Sequence, residues 1–193
     1  MPFHVEPTAL SGVLIVTPDA HADDRGWFSE VYHAERATEA GVVGAIRQVN
    51  QSRSRRGVVR GLHFQWDPPM GKLMRVVLGE AFIVAVDVRP GSGTLGQWVG
   101  LTVSAEDRRQ LWAPAWFARG FCALADVTDV EYFCTAIYNP HAESGIRWDD
   151  PAIGIDWPVD DPVLSPKDAS AQFLAEWLAR PEAQRLAEIS MGG

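Results

Sequence analysis

Between residues 45 and 137 the chain offers eight short apolar segments and almost nothing that could form a helix between them. They span 45–52, 57–65, 72–78, 80–88, 97–103, 109–113, 118–125 and 129–137. Turn chemistry separates them, at Gly79-Glu80, Pro90-Gly91-Ser92-Gly93, Ala105-Glu106-Asp107 and Ala125-Asp126. Many short strands with regular turns and no intervening helix imply an all-β, antiparallel sandwich or barrel.

The flanks are read against that centre. Residues 11–17 form a strand ended by Pro18, and a polar turn from His21 to Arg25 leads into another at 26–32. Residues 33–41 suit a short helix closed by Gly41. The segment Trp148–Asp168 is rich in proline and aspartate but too apolar for disorder, and is expected to wrap the barrel as an ordered loop. Phe173, Leu174, Trp177, Leu178 and Leu186 recur with a 3.6-residue period, which predicts a C-terminal helix over 170–190. The expected organisation is one domain over 1–193: a barrel at about 45–138, a loop at 139–168 and that helix.

Apolar content of 47% and charged content of 22% fit a globular protein. No apolar run approaches the roughly 20 residues that cross a bilayer. The start, Met-Pro-Phe-His-Val-Glu-Pro, has neither a basic nor an apolar signal region, so a cytoplasmic location is expected. Cys122 and Cys134 then read as buried reduced thiols. A net charge of −8 argues against nucleic acid as a partner. Yet five of the fifteen arginines lie between Arg47 and Arg60, against two lysines in the whole chain. A local arginine cluster on an acidic protein suits a small anionic ligand such as a phosphate. Arg53, Arg55 and Arg56 read as charges that solubilise a turn, whereas Arg60 sits inside an apolar strand.

That strand opens the stretch Gly57–Lys72, which packs Arg60, His63, Gln65 and Lys72 among Val58, Val59, Leu62 and Phe64. Polar groups on an inward face each need a buried partner, so they build a core poorly and line a pocket well. His63 is the one histidine of five in an apolar strand. By itself it is either a core histidine with one partner or a catalytic group, and its neighbours favour the second. The stretch is similar to the opening of the cupin metal motif, but Gln65 stands where a second histidine would. Pro114-Ala115-Trp116-Phe117-Ala118-Arg119 keeps only the proline of the motif's second half. Glutamine is a poor transition-metal ligand and arginine is none, so no metal is expected.

Further motifs carry a fuller resemblance. They are Asp24-Arg25-Gly26-x-Phe28-x-Glu30, Gln48-Val49-Asn50-x-Ser52-x-Ser54, the Arg60–Gln65 stretch, Gly71-Lys72-Leu-x-Arg75, Val86-Asp87-x-Arg89-x-Gly91-Ser92, Tyr132-x5-Tyr138-x-Pro140, Gly145-Ile146-Arg147-Trp148 and Leu164-Ser165-x-Lys167-Asp168. Together, over about residues 20–168, they closely resemble the dTDP-4-dehydrorhamnose 3,5-epimerases. The resemblance implies a jelly-roll, cupin-like homodimer that acts on a nucleotide-linked 4-keto-6-deoxyhexose without metal or organic cofactor. It implies His63 as base, Asp168 as the group that orients it, Lys72 on the enolate oxygen and Tyr132 as proton donor from the opposite face. Taken alone, Tyr132 could be an aromatic core residue and Asp168 a helix N-cap. Arg60, Gln48 and Asn50 are implied near the diphosphate, with Arg25 joining from a partner subunit. Phe28 and Tyr138 would sandwich the thymine, with Glu30 at its edge.

Two positions depart from the family pattern. Arg119 stands where a histidine is usual, and Ile83 where an aspartate is. Arg119 stays protonated near neutral pH and would contact a substrate oxygen or a carboxylate. Inversion at C3, at C5 or at both therefore stays open. So do two other functions on the same barrel, a 3,4-ketoisomerase and a non-catalytic sugar-nucleotide binder.

Overall fold

The computed structural model describes residues 2–184. Among them β1 (Phe3–Pro7), β2 (Leu14–Pro18), β10 (Gln110–Ala113), β7 (Lys72–Leu78), β12 (Val127–Cys134) and β5 (Gln48–Arg55) form a six-stranded sheet in that order. A five-stranded sheet runs β13 (Glu143–Gly145), β6 (Val59–Gln65), β11 (Phe117–Ala123), β8 (Glu80–Asp87) and β9 (Trp98–Ser104). A separate hairpin pairs β3 (Ala20–Asp23) with β4 (Gly26–Ser29). Every pairing between these strands is antiparallel.

The all-β, antiparallel jelly-roll expectation holds, with one refinement. Among the described residues no strand pairs across the two sheets, so the barrel is open. The sheets meet over an inner core that includes Met74, Val76, Ile83, Ala85, Phe117, Phe121 and Val130. The outer face of the five-stranded sheet is covered as well. There Phe64, Val84, Val86 and Cys122 pack beneath Ile146, Ile153, Trp157, Leu174 and Trp177. Burial on both faces explains why β8 and β11 read as nearly continuous apolar runs. Ile146, Ile153 and Trp157, from the segment 139–168, lie in that outer cluster, and β13 within the segment joins the five-stranded sheet. The N-terminal strands also belong to a sheet, because β2 pairs with β10.

The single helix expected over 170–190 is not present in the described part of that range. Short helices α2 (Pro166–Ala169) and α3 (Leu174–Leu178) are separated by extended backbone, after α1 (Ala34–Glu39) near the N-terminus. Gln172 bridges to Ile146 and its carbonyl accepts from the Arg147 amide at 2.9 Å. Phe173 is extended at φ −73° and ψ 159°, with its N–H given to the Glu176 carboxylate. Pro181, which has no N–H, follows the end of α3, and a further helical turn covers 181–184. The sheet's need for a backbone partner overrides the helical period. Leu186 lies outside the described residues.

One irregularity positions the site. Opposite β11, Arg119 pairs with His63 and Phe121 with Arg60, so two steps on one strand match three on the other. The backbones approach closely there. A Cβ on Gly61 would come within 2.6 Å of the Gly120 Cα, and one on Gly120 within 2.7 Å of the Arg60 carbonyl. Glycine at both positions permits the bulge.

Candidate active site

Register decides which side chains face the space between the sheets. On the six-stranded sheet, Tyr132 lies opposite Asn50 on β5 and Met74 on β7, and Lys72 lies two residues before Met74. On the other sheet the bulge brings Arg60 and His63 to one face despite their odd spacing. The result is a cavity of about 290 Å³ lined by Asn50, Arg60, His63, Lys72, Arg119, Tyr132 and Asp168, together with Ser52, Ser165 and Lys167.

His63 Nε2 lies 2.5 Å from Asp168 Oδ1. That contact assigns the Nε2–H tautomer to neutral His63 and leaves Nδ1 as its basic nitrogen. Asp168 is set by its own helix. Ser165 is the N-cap of α2, its hydroxyl accepts from the Asp168 amide at 3.1 Å, and Pro166 occupies the first helical position. Asp168 is thus the third residue of the helix and not its cap, which removes that rival reading. Burial alone would raise its pKa; hydrogen bonds from His63, Ser165 and the Gly61 amide, with the His63 charge, bring it below the ordinary carboxylate value.

Tyr132 Oη is 2.7 Å from Ser52 Oγ. Loss of water around the phenol pushes its pKa up to about 12 against the opposing pull of Ser52 and Arg60, so it stays protonated through neutral pH. The Lys72 ammonium sits 5.8 Å from the Tyr132 ring centroid. Its pKa is lowered, first by burial and then by the Arg119 charge.

Arg119 is 2% exposed. Its Nη2 donates to the carbonyls of Met70 and Pro114, each at 2.6 Å, and of Ala113 at 3.3 Å, while Nε and Nη1 have no partner. Ile83 pairs with Phe121, two residues along β11 from Arg119, and Arg119 itself pairs with Ala85. Neither a carboxylate nor an imidazole is restored there.

The remaining expected residues lie at the rim or beyond it. Gln48 accepts from the Tyr138 amide at 2.9 Å and donates to Asn50 Oδ1. Tyr138 Oη donates to Glu143, which also accepts from Lys167. Arg60 donates to Ser54 Oγ and the Arg53 carbonyl. Arg25 pairs with Asp23 on the β3–β4 hairpin, where Phe28 is 69% exposed, and Glu30 pairs with Arg36. Within one chain Arg25 and Phe28 do not line the cavity. Ser52, Ser165, Lys167 and Glu143 were not singled out as site residues. Ser52, Ser165 and Lys167 stand in the motifs quoted above, and Glu143 stands in none.

Gln65, at the position of the missing second histidine, has a structural task. It donates to the carbonyls of Pro68 and Ile137 and accepts from the Asn139 amide. Among the described residues no three His, Cys, Asp or Glu side chains gather to hold a metal ion. Both cysteines are free and buried.

The family model for dTDP-4-dehydrorhamnose 3,5-epimerase matches residues 7–176. The chain belongs to this family. The dTDP-4-dehydrorhamnose 3,5-epimerase of Methanothermobacter thermautotrophicus is 48% identical over 177 residues, 90% of this chain and 96% of that protein. A dTDP-4-dehydrorhamnose 3-epimerase from Streptomyces niveus is 41% identical over 174 residues, 89% of this chain and 84% of that one. Among solved structures, the Legionella pneumophila dTDP-6-deoxy-D-glucose-3,5-epimerase in complex with dTDP-4-keto-L-rhamnose superposes with a TM-score of 0.89. It is 44% identical, over 94% of this chain and 96% of that one. The family thus includes relatives named for inversion at two carbons and at one.

Proposed function

We propose that the chain is an isomerase that epimerises a dTDP-4-keto-6-deoxyhexose by removing and returning a proton beside the ketone. The observation that carries this is one cavity holding a carboxylate-oriented imidazole, His63–Asp168, together with a protonated phenol, Tyr132. A C4 ketone acidifies C3–H and C5–H. Nδ1 of His63 takes the proton, and Asp168 supports the imidazolium that forms. Tyr132, on the facing sheet, returns a proton from the other side, with Ser52 holding its hydroxyl. Lys72 supplies positive charge where the C4 oxygen becomes negative. Arg60 and Asn50 on the cavity wall, with Gln48 and Tyr138 linked to Asn50 through hydrogen bonds, suit a diphosphate and a base.

The exposed hairpin with Arg25 and Phe28 lies apart from its own chain's cavity, which supports a homodimer in which each copy completes the other's nucleotide site. The working location is the cytoplasm; among the described residues no helix is long and apolar enough to cross a membrane. The test is incubation with dTDP-4-keto-6-deoxyglucose in D₂O. Deuterium at C3 and C5 is the result for double inversion and label at one carbon the result for a single-site enzyme. No label with any dTDP-4-keto sugar would end the epimerase reading in favour of a binding protein. Carbonyl migration from C4 to C3 would instead identify a ketoisomerase.

A further inference from the structure

Lys72 and Arg119 place two cations on one cavity, Arg119 buried and Lys72 half-buried. Arg119 Nη2 is tied to the carbonyl of Ala113, the residue directly opposite Lys72 on β10, and to that of Met70, two residues before Lys72. Both side chains line the same cavity. Among the described residues neither makes a salt bridge to a carboxylate. The other groups that bear on Lys72 are Cys134 and Tyr132 on β12, Glu143 on β13 and Lys167 on α2. Glu143 is already engaged by Lys167 and Tyr138. Two cations enclosed without a counter-ion repel each other, and the arrangement is relieved when one of them gives up its proton. Arg119 is the poorer donor, since a guanidinium is intrinsically more basic than an amine and its Nε and Nη1 are shut off from solvent. Lys72 is the group that can yield.

We propose that Arg119 is a positioning residue that acts through Lys72, making this lysine a proton donor to the C4 oxygen, so that the intermediate is held as a neutral enol. The inference rests on the epimerase reading above and assigns a step within it. His63 takes the proton from carbon, and the C–H electron pair becomes the C=C bond. The C=O π pair forms an O–H bond to a proton from Lys72, which is left as the amine beside Arg119. On the return, Tyr132 protonates carbon, the enol O–H proton goes back to Lys72 and the carbonyl re-forms. His63 and Tyr132 recover their starting states by exchange with water. No oxidant or reductant takes part. A guanidinium serves better than an imidazole for this purpose, because it is still charged at pH values where an imidazole has lost its proton.

The chain has two lysines, so ¹³C labelling of the lysine ε-carbon gives two resonances to titrate. The expected result is Lys72 titrating below, and Lys167 above, the ordinary lysine value of about 10.4. In Arg119→Met the Lys72 titration rises by about one pH unit, and the alkaline limb of kcat for deuterium exchange rises with it. Arg119→Lys, which keeps a charge, leaves Lys72 titrating low. Where the methionine variant fails to fold, Arg119→His carries the test, because its imidazole is uncharged where lysine titrates and Lys72 must rise there too. A Lys72 titration at the ordinary value in the wild type, or one unmoved in both neutral variants, overturns the inference. Absent exchange in the wild type would instead sink the epimerase reading, a distinct outcome from an unmoved Lys72.

Discussion

Asp168 approaches Nε2 of His63 at 2.5 Å from a helix that begins only two residues earlier, at Pro166. The two residues are 105 positions apart in sequence, and the carboxylate is almost wholly buried while the imidazole keeps part of its surface toward the cavity. One side of the ring is committed to Asp168 and the other is left for substrate.

His63→Ala is expected to abolish solvent exchange to the extent of a lost base, ~10²–10⁴-fold in rate. Asp168→Asn keeps the shape but withdraws the acceptor that fixes the tautomer, and a loss of ~10²-fold or more in kcat is expected, with dTDP affinity unchanged. Deuterium incorporation followed by NMR, beside dTDP calorimetry, separates the two effects.

Removal of the acid should uncouple exchange from inversion. Tyr132→Phe leaves His63 able to take and return a proton on its own face, so deuterium should enter with retained configuration while inverted product falls by ~10²-fold or more. Ser52→Ala should give a weaker version of the same pattern, because only the hold on the phenol is lost. Equal loss of exchange and inversion in Tyr132→Phe would place the tyrosine elsewhere in the mechanism.

Lys72 is expected to trade stability for activity. Its lowered pKa means that the unfolded chain holds this proton more tightly than the fold does. The cost to the fold is full below the folded-state value and vanishes above the unfolded value, near ~10.4. Lys72→Met should therefore melt at a higher temperature than the wild type at pH 7, with the gap closing toward pH 10, while exchange drops by ~10²–10³-fold.

At the other end of the pH scale the fold should depend on Asp87. This carboxylate is fully buried and accepts from Arg89, Ser92 and Thr94. Burial pushes its pKa up, but these bonds outweigh it and the net shift is downward. A depressed carboxylate stabilises the fold above its unfolded value, ~3.9, and that contribution is lost as pH falls through the lower folded value. Asp87→Asn should lose roughly 2–3 kcal/mol at pH 7 and show a shallower decline in stability below pH 4, measured by urea melts across pH.

Phe28 should matter to ligand and not to fold. With 69% of its surface exposed it contributes little to the core, so Phe28→Ala should leave the melting temperature unchanged. A lost base stack is worth ~1–3 kcal/mol, which predicts a weakening of dTDP binding by about 5- to 150-fold. Sedimentation of the same variant would show whether the hairpin also holds two copies together.

The strands that carry the cavity were legible because their apolar runs are long and their turns chemically marked; the expected 72–78 segment and β7 share the same bounds. The elements that were not legible lack that signal. β1 is exposed along nearly its whole length, β3 reads Ala-His-Ala-Asp, and β13 has three residues. Periodicity at 170–186 was real but ambiguous, since the short α3, entered from the extended Gln172–Phe173, places Leu174 and Trp177 inward as one long helix would. Of the site, Ser52 stands in a quoted motif, but its task is set by Tyr132, 80 residues away, which no local pattern shows. The place of Arg119 was knowable only from the register that sets it opposite His63.

The extra residue in β6 has a consequence for any effort to move this chemistry to another scaffold. A regular strand alternates sides, and Arg60 and His63, three residues apart, would fall on opposite surfaces. The slip at Gly61 resets the phase of the alternation, so that one ribbon presents the Arg60 guanidinium and the His63 imidazole to the same space. Grafting the side chains onto an ideal strand would strand one of them outside. What must be copied is the interruption itself, including the bare α-carbons of Gly61 and Gly120 that allow it.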